Sequence, residues 1–223
     1  MVKIIEPSVE IINDIDSDRI LKHIESCGRT CYQSYENESE DTSSAKKMIA
    51  MLIKSGHESV LEHISITVKM RGDVGFYKDI TRHRAGTAFS IESTRFCNYS
   101  KGKFGNELTI IKPCNMDEKS GIYHTWLNTM KVIEQQYMQM AELGAKPDQL
   151  RMILPHSTAA EVSMTANIRA WRHIFKMRCA KAAHPSVRQM MLMVLNKFHN
   201  SIEVLFDDIW EEFKEDMKEF GIN

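Results

Sequence analysis

The stretch ISITVKMRGDVGFYKDITRHRAG, Ile64–Gly86, sets the fold class. In its first half Ile64, Ile66, Val68 and Met70 alternate with more polar residues. Period-two alternation predicts a half-buried strand, because successive side chains leave opposite faces of the pleat. Gly72 and Asp73 break the pattern, and Val74–Arg82 is expected to be helical. A second short strand is predicted at Leu108–Ile111, ended by Pro113.

Helices dominate the rest. Ser17–Cys27 places Ile20, Leu21 and Ile24 on one face, and Ser43–Ser55 does the same with Met48, Met51 and Leu52 before Gly56 stops it. Ile122, Trp126, Met130, Ile133 and Tyr137 recur at spacings of three and four, which predicts an amphipathic helix running to Leu143. Asn167–Arg178 is helix-like. Val187, Met191, Val194, Phe198, Ile202, Leu205 and Ile209 predict one long C-terminal helix, with Pro185 near its start. No repeat and no Gly/Ser-rich linker divides the chain. The expected architecture is therefore α+β: a single helix-rich domain, 1–223, with a mainly antiparallel sheet.

A chain of 223 residues with 43% hydrophobic content buries a full core without staples. The net charge of -1 argues against a nucleic-acid coat and against a polybasic membrane binder. No apolar run is long enough to cross a bilayer. A cytoplasmic protein is expected. The five cysteines, at 27, 31, 97, 114 and 179, form no Cys-x-x-Cys pair and read as reduced thiols.

Three polar clusters carry the chemistry. Arg82-His83-Arg84 is followed by Ser90, Glu92, Ser93 and Arg95. Guanidinium groups meet phosphate in planar two-point contacts. On composition alone the same cluster reads equally as a solvated basic turn. GHESVLEH, Gly56–His63, holds two histidines and two glutamates in eight residues. No third ligand block follows it, so no metal is expected, and helix capping by Glu58 or Ser59 is the simpler reading. The third cluster is Asn167, Arg169, Arg172, His173, Lys176 and Arg178. No acid interrupts it, so its cations repel one another unless an anion satisfies them, which points to an anionic ligand. No glycine-rich dinucleotide fingerprint is present, so arginines and helix ends would have to hold any nucleotide.

Together these clusters resemble the flavin-dependent thymidylate synthases. The family signature, Arg-His-Arg, a spacer, then Ser-x-Arg and an aromatic, reads here as RHRAGTAFSIESTRF, Arg82–Phe96. GHESVLEH resembles the first flavin segment. LRMILPHS, from Leu150, and MTANIRAWRHIFKMR, from Met164, resemble the two later blocks.

The resemblance implies the fold of the thymidylate synthase complementing proteins. It implies FAD held by His57, Ser59, Glu62, Arg82, His83, Arg84, Asn167, Arg169 and His173. It implies dUMP met by Asp79, Arg84, Glu92, Ser93, Arg95, Arg151 and Arg178, with Arg178 stabilising developing charge and Ser93 orienting the ring. Methylene-tetrahydrofolate would supply the carbon and NADPH would reduce the flavin, in a homotetramer. The spacer Ala85–Glu92 is one residue longer than the family pattern, and Ile91 stands where a polar residue is usual. A re-shaped substrate loop leaves two alternatives open: a related flavin enzyme that alkylates another pyrimidine nucleotide at carbon 5, for example by hydroxymethylation, or a nucleotide-binding protein without catalysis.

Overall fold

The computed structural model describes residues 2–102 and 105–222. The fold is α+β, rich in helix, with a mainly antiparallel sheet. In chain order the strands and helices are β1 (Lys3–Ile5), β2 (Ser8–Ile11), α1 (Ser17–Tyr32), α2 (Ser43–Lys54), β3 (Ser65–Asp73), α3 (Val74–Ile80), β4 (Thr87–Ile91), β5 (Thr109–Ile111), α4 (Gly121–Glu142), α5 (Pro147–Leu150), β6 (Ala159–Asn167), α6 (Ile168–Arg178), α7 (Pro185–Ser201) and α8 (Asp207–Glu219). Four strands form a sheet in the order β2-β3-β6-β4. Backbone bonds from Asn167 N to Gly86 O and from Glu92 N to Glu161 O fix β4 antiparallel to β6. The bond from Ile168 N to Ile64 O, with the Thr67–Thr165 hydroxyl pair, does the same for β3 and β6.

The chain divides into two compact units: 1–8, 70–82 and 90–162 in the first, 9–69, 83–89 and 163–223 in the second. In the first unit β1 pairs in parallel with β5, Ile4 beside Ile110. Tyr99, Leu108, Tyr137 and Leu150 form one buried cluster, and Val2, Ile110 and Met130 another. α4 contributes to both through its apolar stripe. Ser120 caps its start by accepting from Tyr123 N, and Gly144 follows its end at φ +87°.

The second unit is built around aromatic rings. Trp171 and Phe175 on α6 meet Phe198 on α7 and Phe206 between α7 and α8, with ring centroids 5.2–5.7 Å apart. Edge-on and tilted contacts of this kind add to the area that the rings bury. The indole N–H of Trp171 donates to Ile66 O, which fixes α6 on β3.

The C-terminal helix is not continuous. α7 ends at Ser201, Glu203–Leu205 makes a 3-10 turn, and α8 starts at Asp207. Ile202 and Phe206 both leave helical geometry, at φ -147° and -134°. The apolar spacing runs straight through this break, which is why the pattern alone joined the two helices. The break turns Phe206 into the aromatic cluster and releases the carbonyl of Leu205 from the helical ladder.

Candidate functional site

α6 positions the third cluster by turning its two faces to different surroundings. Arg169, His173 and Lys176 are exposed, while Trp171, Arg172 and Phe175 are buried. Asn167 caps the helix, its Oδ1 accepting from Ala170 N at 2.8 Å. The expectation that these cations need an external anion does not hold for Arg172 or Arg169. Arg172 is 1% exposed and makes a two-point pair with Asp208, at 2.8 and 2.7 Å, while its Nε donates to Glu58 at 3.1 Å. Arg169 pairs with Glu62 at 2.5 Å. The acids missing from the segment arrive from α8 and from the 3-10 turn Glu58–His63. Neither Glu58 nor Ser59 caps that turn: no side-chain cap bond is made there, and His57 stands at the cap position.

His83 lies against the last turn of α6. Arg178 Nε donates to His83 Nε2 at 2.8 Å, and the His83 and His173 rings sit edge-on with centroids 6.2 Å apart. The main-chain carbonyl of His83 accepts from Thr87 Oγ1 at 2.7 Å. Gly86 has φ +68°, and a Cβ there would fall 2.7 Å from Asn167 Nδ2, so glycine is what allows the triplet's backbone to approach α6. The spacer is therefore no loose loop, since Thr87–Ile91 is strand.

Of the predicted site residues, the second unit contains His57, Ser59, Glu62, His83, Arg84, Asn167, Arg169, His173 and Arg178, with contacts joining Arg169 to Glu62 and His83 to Arg178 and His173. Sequence reasoning did not find Tyr32, whose hydroxyl lies 3.5 Å from His57 Nδ1. Tyr32 also helps line a cavity of about 690 Å³ with Arg29, Ser34, Asn37, Lys47 and Met51. Nothing local marks Tyr32, because twenty-five residues separate it from His57.

The first unit holds Asp79, Arg82, Glu92, Ser93, Arg95 and Arg151. Arg82 NH1 lies 3.6 Å from Asp79 Oδ1. The Glu92 carboxylate accepts from the Tyr99 hydroxyl at 2.9 Å and from Glu161 N at 3.2 Å. Burial, and then the Glu92 charge, push the Tyr99 hydroxyl far above its ordinary range. Ser93 opens a turn, its carbonyl accepting from Phe96 N and Cys97 N. Arg95 is exposed, with its guanidinium 5.7 Å from the ring of Phe96. Arg151 is exposed at the start of a 3-10 turn. Among the described residues, His199, Glu203 and Asp207 bring possible metal-ligand atoms within 4.8 Å of one another, outside the GHESVLEH segment.

The model of the family described as thymidylate synthase complementing protein matches residues 14–202. The chain belongs to that family. The flavin-dependent thymidylate synthase of Corynebacterium aurimucosum is 28% identical over 195 residues, covering 83% of this chain and 78% of that one. The enzyme of the same name from Mycobacterium bovis is 26% identical over 218 residues, covering 91% and 84%. Among solved structures, the UMP/dUMP methylase PolB from Streptomyces cacaoi, bound with 5-Br dUMP, superposes with a TM-score of 0.73 at 18% identity and covers 95% of this chain and 97% of its own. That likeness establishes a shared fold. The flavin-dependent thymidylate synthase family is thus shown by most of the chain, and no helix among the described residues is long and apolar enough to cross a membrane.

Proposed function

We propose that this flavin-dependent thymidylate synthase methylates carbon 5 of dUMP to give dTMP, with FAD as bound cofactor, methylene-tetrahydrofolate as carbon donor and NADPH as reductant. The observation that carries the reading is the 2.8 Å bond from Arg178 to His83, which ties the candidate catalytic arginine to the Arg-His-Arg triplet. The donor set fits FAD. Asn167, Arg169, His173, His83 and Arg84 belong to one unit with His57, Ser59 and Glu62, and the tight Gly86 approach shapes the backbone beside them. Arg82, in the first unit, is the remaining cofactor residue that the family resemblance implies.

FAD, when bound and reduced, would supply the hydride. The protein's own task is positioning and charge. Carbon 5 of uracil becomes nucleophilic as negative charge develops on the ring carbonyls, and Arg178 stabilises that charge. A guanidinium carries five N–H donors, so its bond to His83 uses one of them. Ser93 orients the ring by hydrogen bonding. Arg95 and Arg151, with Asp79, Arg84 and Glu92 beside the nucleotide, hold a phosphate of charge about -1.5 to -2.

All 223 residues serve one catalytic domain, in a homotetramer that works in the cytoplasm. The test is direct. The purified protein is yellow with non-covalent FAD and converts dUMP to dTMP when given methylene-tetrahydrofolate and NADPH. The double variant Arg82→Ala, Arg169→Ala loses the flavin. Full flavin absorbance in that variant, or no dTMP from wild type, rejects the proposal. The lengthened spacer favours one second reading, a different pyrimidine nucleotide as substrate. It wins if the flavin spectrum ignores dUMP and responds to another pyrimidine nucleotide.

A further inference from the structure

The turn that joins α7 to α8 collects three metal-ligating side chains that the thymidylate chemistry does not use. α8 folds back along α7. Trp210 on α8 donates its indole N–H to Asn196 on α7 at 3.1 Å, and Arg188, near the start of α7, meets Asp216 and Glu219, near the end of α8, at 2.8 Å. His199 lies in the last turn of α7, Glu203 in the 3-10 turn, and Asp207 opens α8, each four residues after the one before. On an unbroken helix the first and last of these would stand about 12 Å apart along the axis. The break at Ile202 and Phe206 instead sets Asp207 Oδ1 3.4 Å from His199 Nε2, and ligand atoms of all three residues lie within 4.8 Å of one another.

The separation of 3.4 Å is long for a charge-assisted N–H···O bond, which closes to about 2.7–2.9 Å. It is the spacing of two donors on one tetrahedral ion, since bonds of about 2.0–2.1 Å put neighbouring ligand atoms about 3.4 Å apart. The imidazole is fixed in place. It stacks on Trp210 with ring centroids 4.4 Å apart and planes 9° off parallel, and its Nδ1 is sealed, with no partner among the described residues. Nε2 is therefore the nitrogen left to meet a ligand. The carboxylates are short of positive charge. Apart from His199, no cation among the described residues pairs with Glu203 or Asp207, and Lys214 on α8 is paired with Glu211. Glu203 and Asp207 also line a cavity of about 830 Å³, together with Leu21 of α1 and Lys46, Ala50, Ile53 and Lys54 of α2. An ion at the turn would keep positions open to water on that side.

We propose that His199, Glu203 and Asp207 form a binding site for one divalent transition-metal ion of the zinc class, which pins the turn between α7 and α8. An imidazole among the ligands disfavours magnesium and calcium, hard ions that take oxygen shells, and suits zinc, which accepts nitrogen and carboxylate oxygen together. Two carboxylates and a neutral imidazole carry two negative charges, which a divalent ion balances and a proton on the ring does not. Glu203 is exposed, so rotation of its side chain closes the remaining gap. The residue after the last ligand, Asp208, holds Arg172 of α6, so an ion at Asp207 also steadies the end of α8 that makes this pair. The site uses no residue of the proposed flavin or nucleotide set and stands or falls apart from that reading.

The full chain, stripped of metal with a chelator, is titrated with Zn²⁺ by calorimetry, and its melting temperature is read with and without the ion. Wild type should bind Zn²⁺ at this site and melt higher with it, because an ion that binds only the folded state stabilises it. His199→Gln and Glu203→Gln should each raise the Kd more than about tenfold, since losing even a group that merely supports a ligand costs that much. Glu203 forms no ion pair among the described residues, so metal-free Glu203→Gln should melt as metal-free wild type does. Its reading holds even if His199→Gln, which also loses the Trp210 stack, fails to fold. Wild type that binds no Zn²⁺ overturns the proposal. So does Zn²⁺ held as tightly by Glu203→Gln as by wild type, which would place the ion adventitiously on other histidines or on thiols. Mg²⁺ in large excess should leave the Zn²⁺ bound, and displacement overturns the choice of ion.

Discussion

Arg172 and Asp208 join α6 to α8 by two parallel N–H···O bonds, although α8 begins only after the helix break. The same guanidinium holds Glu58 and the released carbonyl of Leu205. Arg172→Met is expected to destabilise the fold by about 3–5 kcal/mol, because it strands the acid and the carbonyl that the cation served. Urea denaturation of the flavin-free protein measures this. A loss below about 1 kcal/mol would mean that the network is ornamental.

Acid should act on the same contact. Burial alone would raise the Asp208 carboxyl, but the Arg172 guanidinium outweighs it and holds the group below the ordinary carboxylate range. Glu25 behaves likewise, its burial penalty exceeded by Ser44, Arg29 and Lys22. A carboxyl with a depressed folded value contributes its full stability above its unfolded value, about 3.9 for Asp and 4.3 for Glu, and loses it as pH falls through the folded value. Urea midpoints from neutral pH downward should therefore drop below about pH 4, and Asp208→Asn should flatten part of that drop. An unchanged slope in that variant contradicts the assignment.

Gly86→Ala tests the approach of the triplet to α6. The left-handed backbone costs alanine about 1–2 kcal/mol, before its Cβ displaces the Asn167 amide. Bound flavin should decline together with melting temperature. A variant with wild-type flavin content and stability would show that the close approach is not required.

No cysteine is expected to be essential. Cys179 is buried, and burial pushes its thiol well above the ordinary range, as it does to a smaller extent for Cys114. Cys97 packs, partly buried, against the Tyr99–Tyr137 cluster. Cys97→Ala should keep dTMP formation within about threefold of wild type while costing some stability. Lost turnover with intact FAD and dUMP binding would instead assign the thiol a chemical role.

Titrating dUMP against flavin absorbance separates phosphate capture from ring orientation. Arg178→Ala should weaken binding about tenfold or more. Ile91→Gln, which restores the polar residue usual at that place, should raise turnover more than affinity. An Arg178→Ala enzyme that binds dUMP as tightly as wild type removes this arginine from the nucleotide site.

The strand over β3 and the helices α1, α2 and α4 were legible because each has one buried face and its apolar period shows it. β6 escaped notice because small residues, Ala160 and Ala166, occupy two of its inward positions and blur an alternation that burial makes plain. β1 and β5 are three residues long and find each other in parallel across a hundred residues, a pairing no local pattern encodes. The positions of the charged clusters were readable, but the fate of each charge was not. Arg172 and Arg169 look alike in sequence, yet one is sealed in the interior and the other is exposed. Which acid meets which cation depends on elements far apart in the chain.

The spacer poses a question of parity. Because side chains alternate along a strand, one extra residue inside β4 would invert every side chain after it, sending Ser93 and Arg95 to the opposite side of the sheet. The left-handed Gly86, just before the first residue of β4, is where an added residue can be absorbed without that inversion. Shortening the chain by removing Ala85 should then leave the downstream orientation intact, whereas removing Ser90 should reverse it.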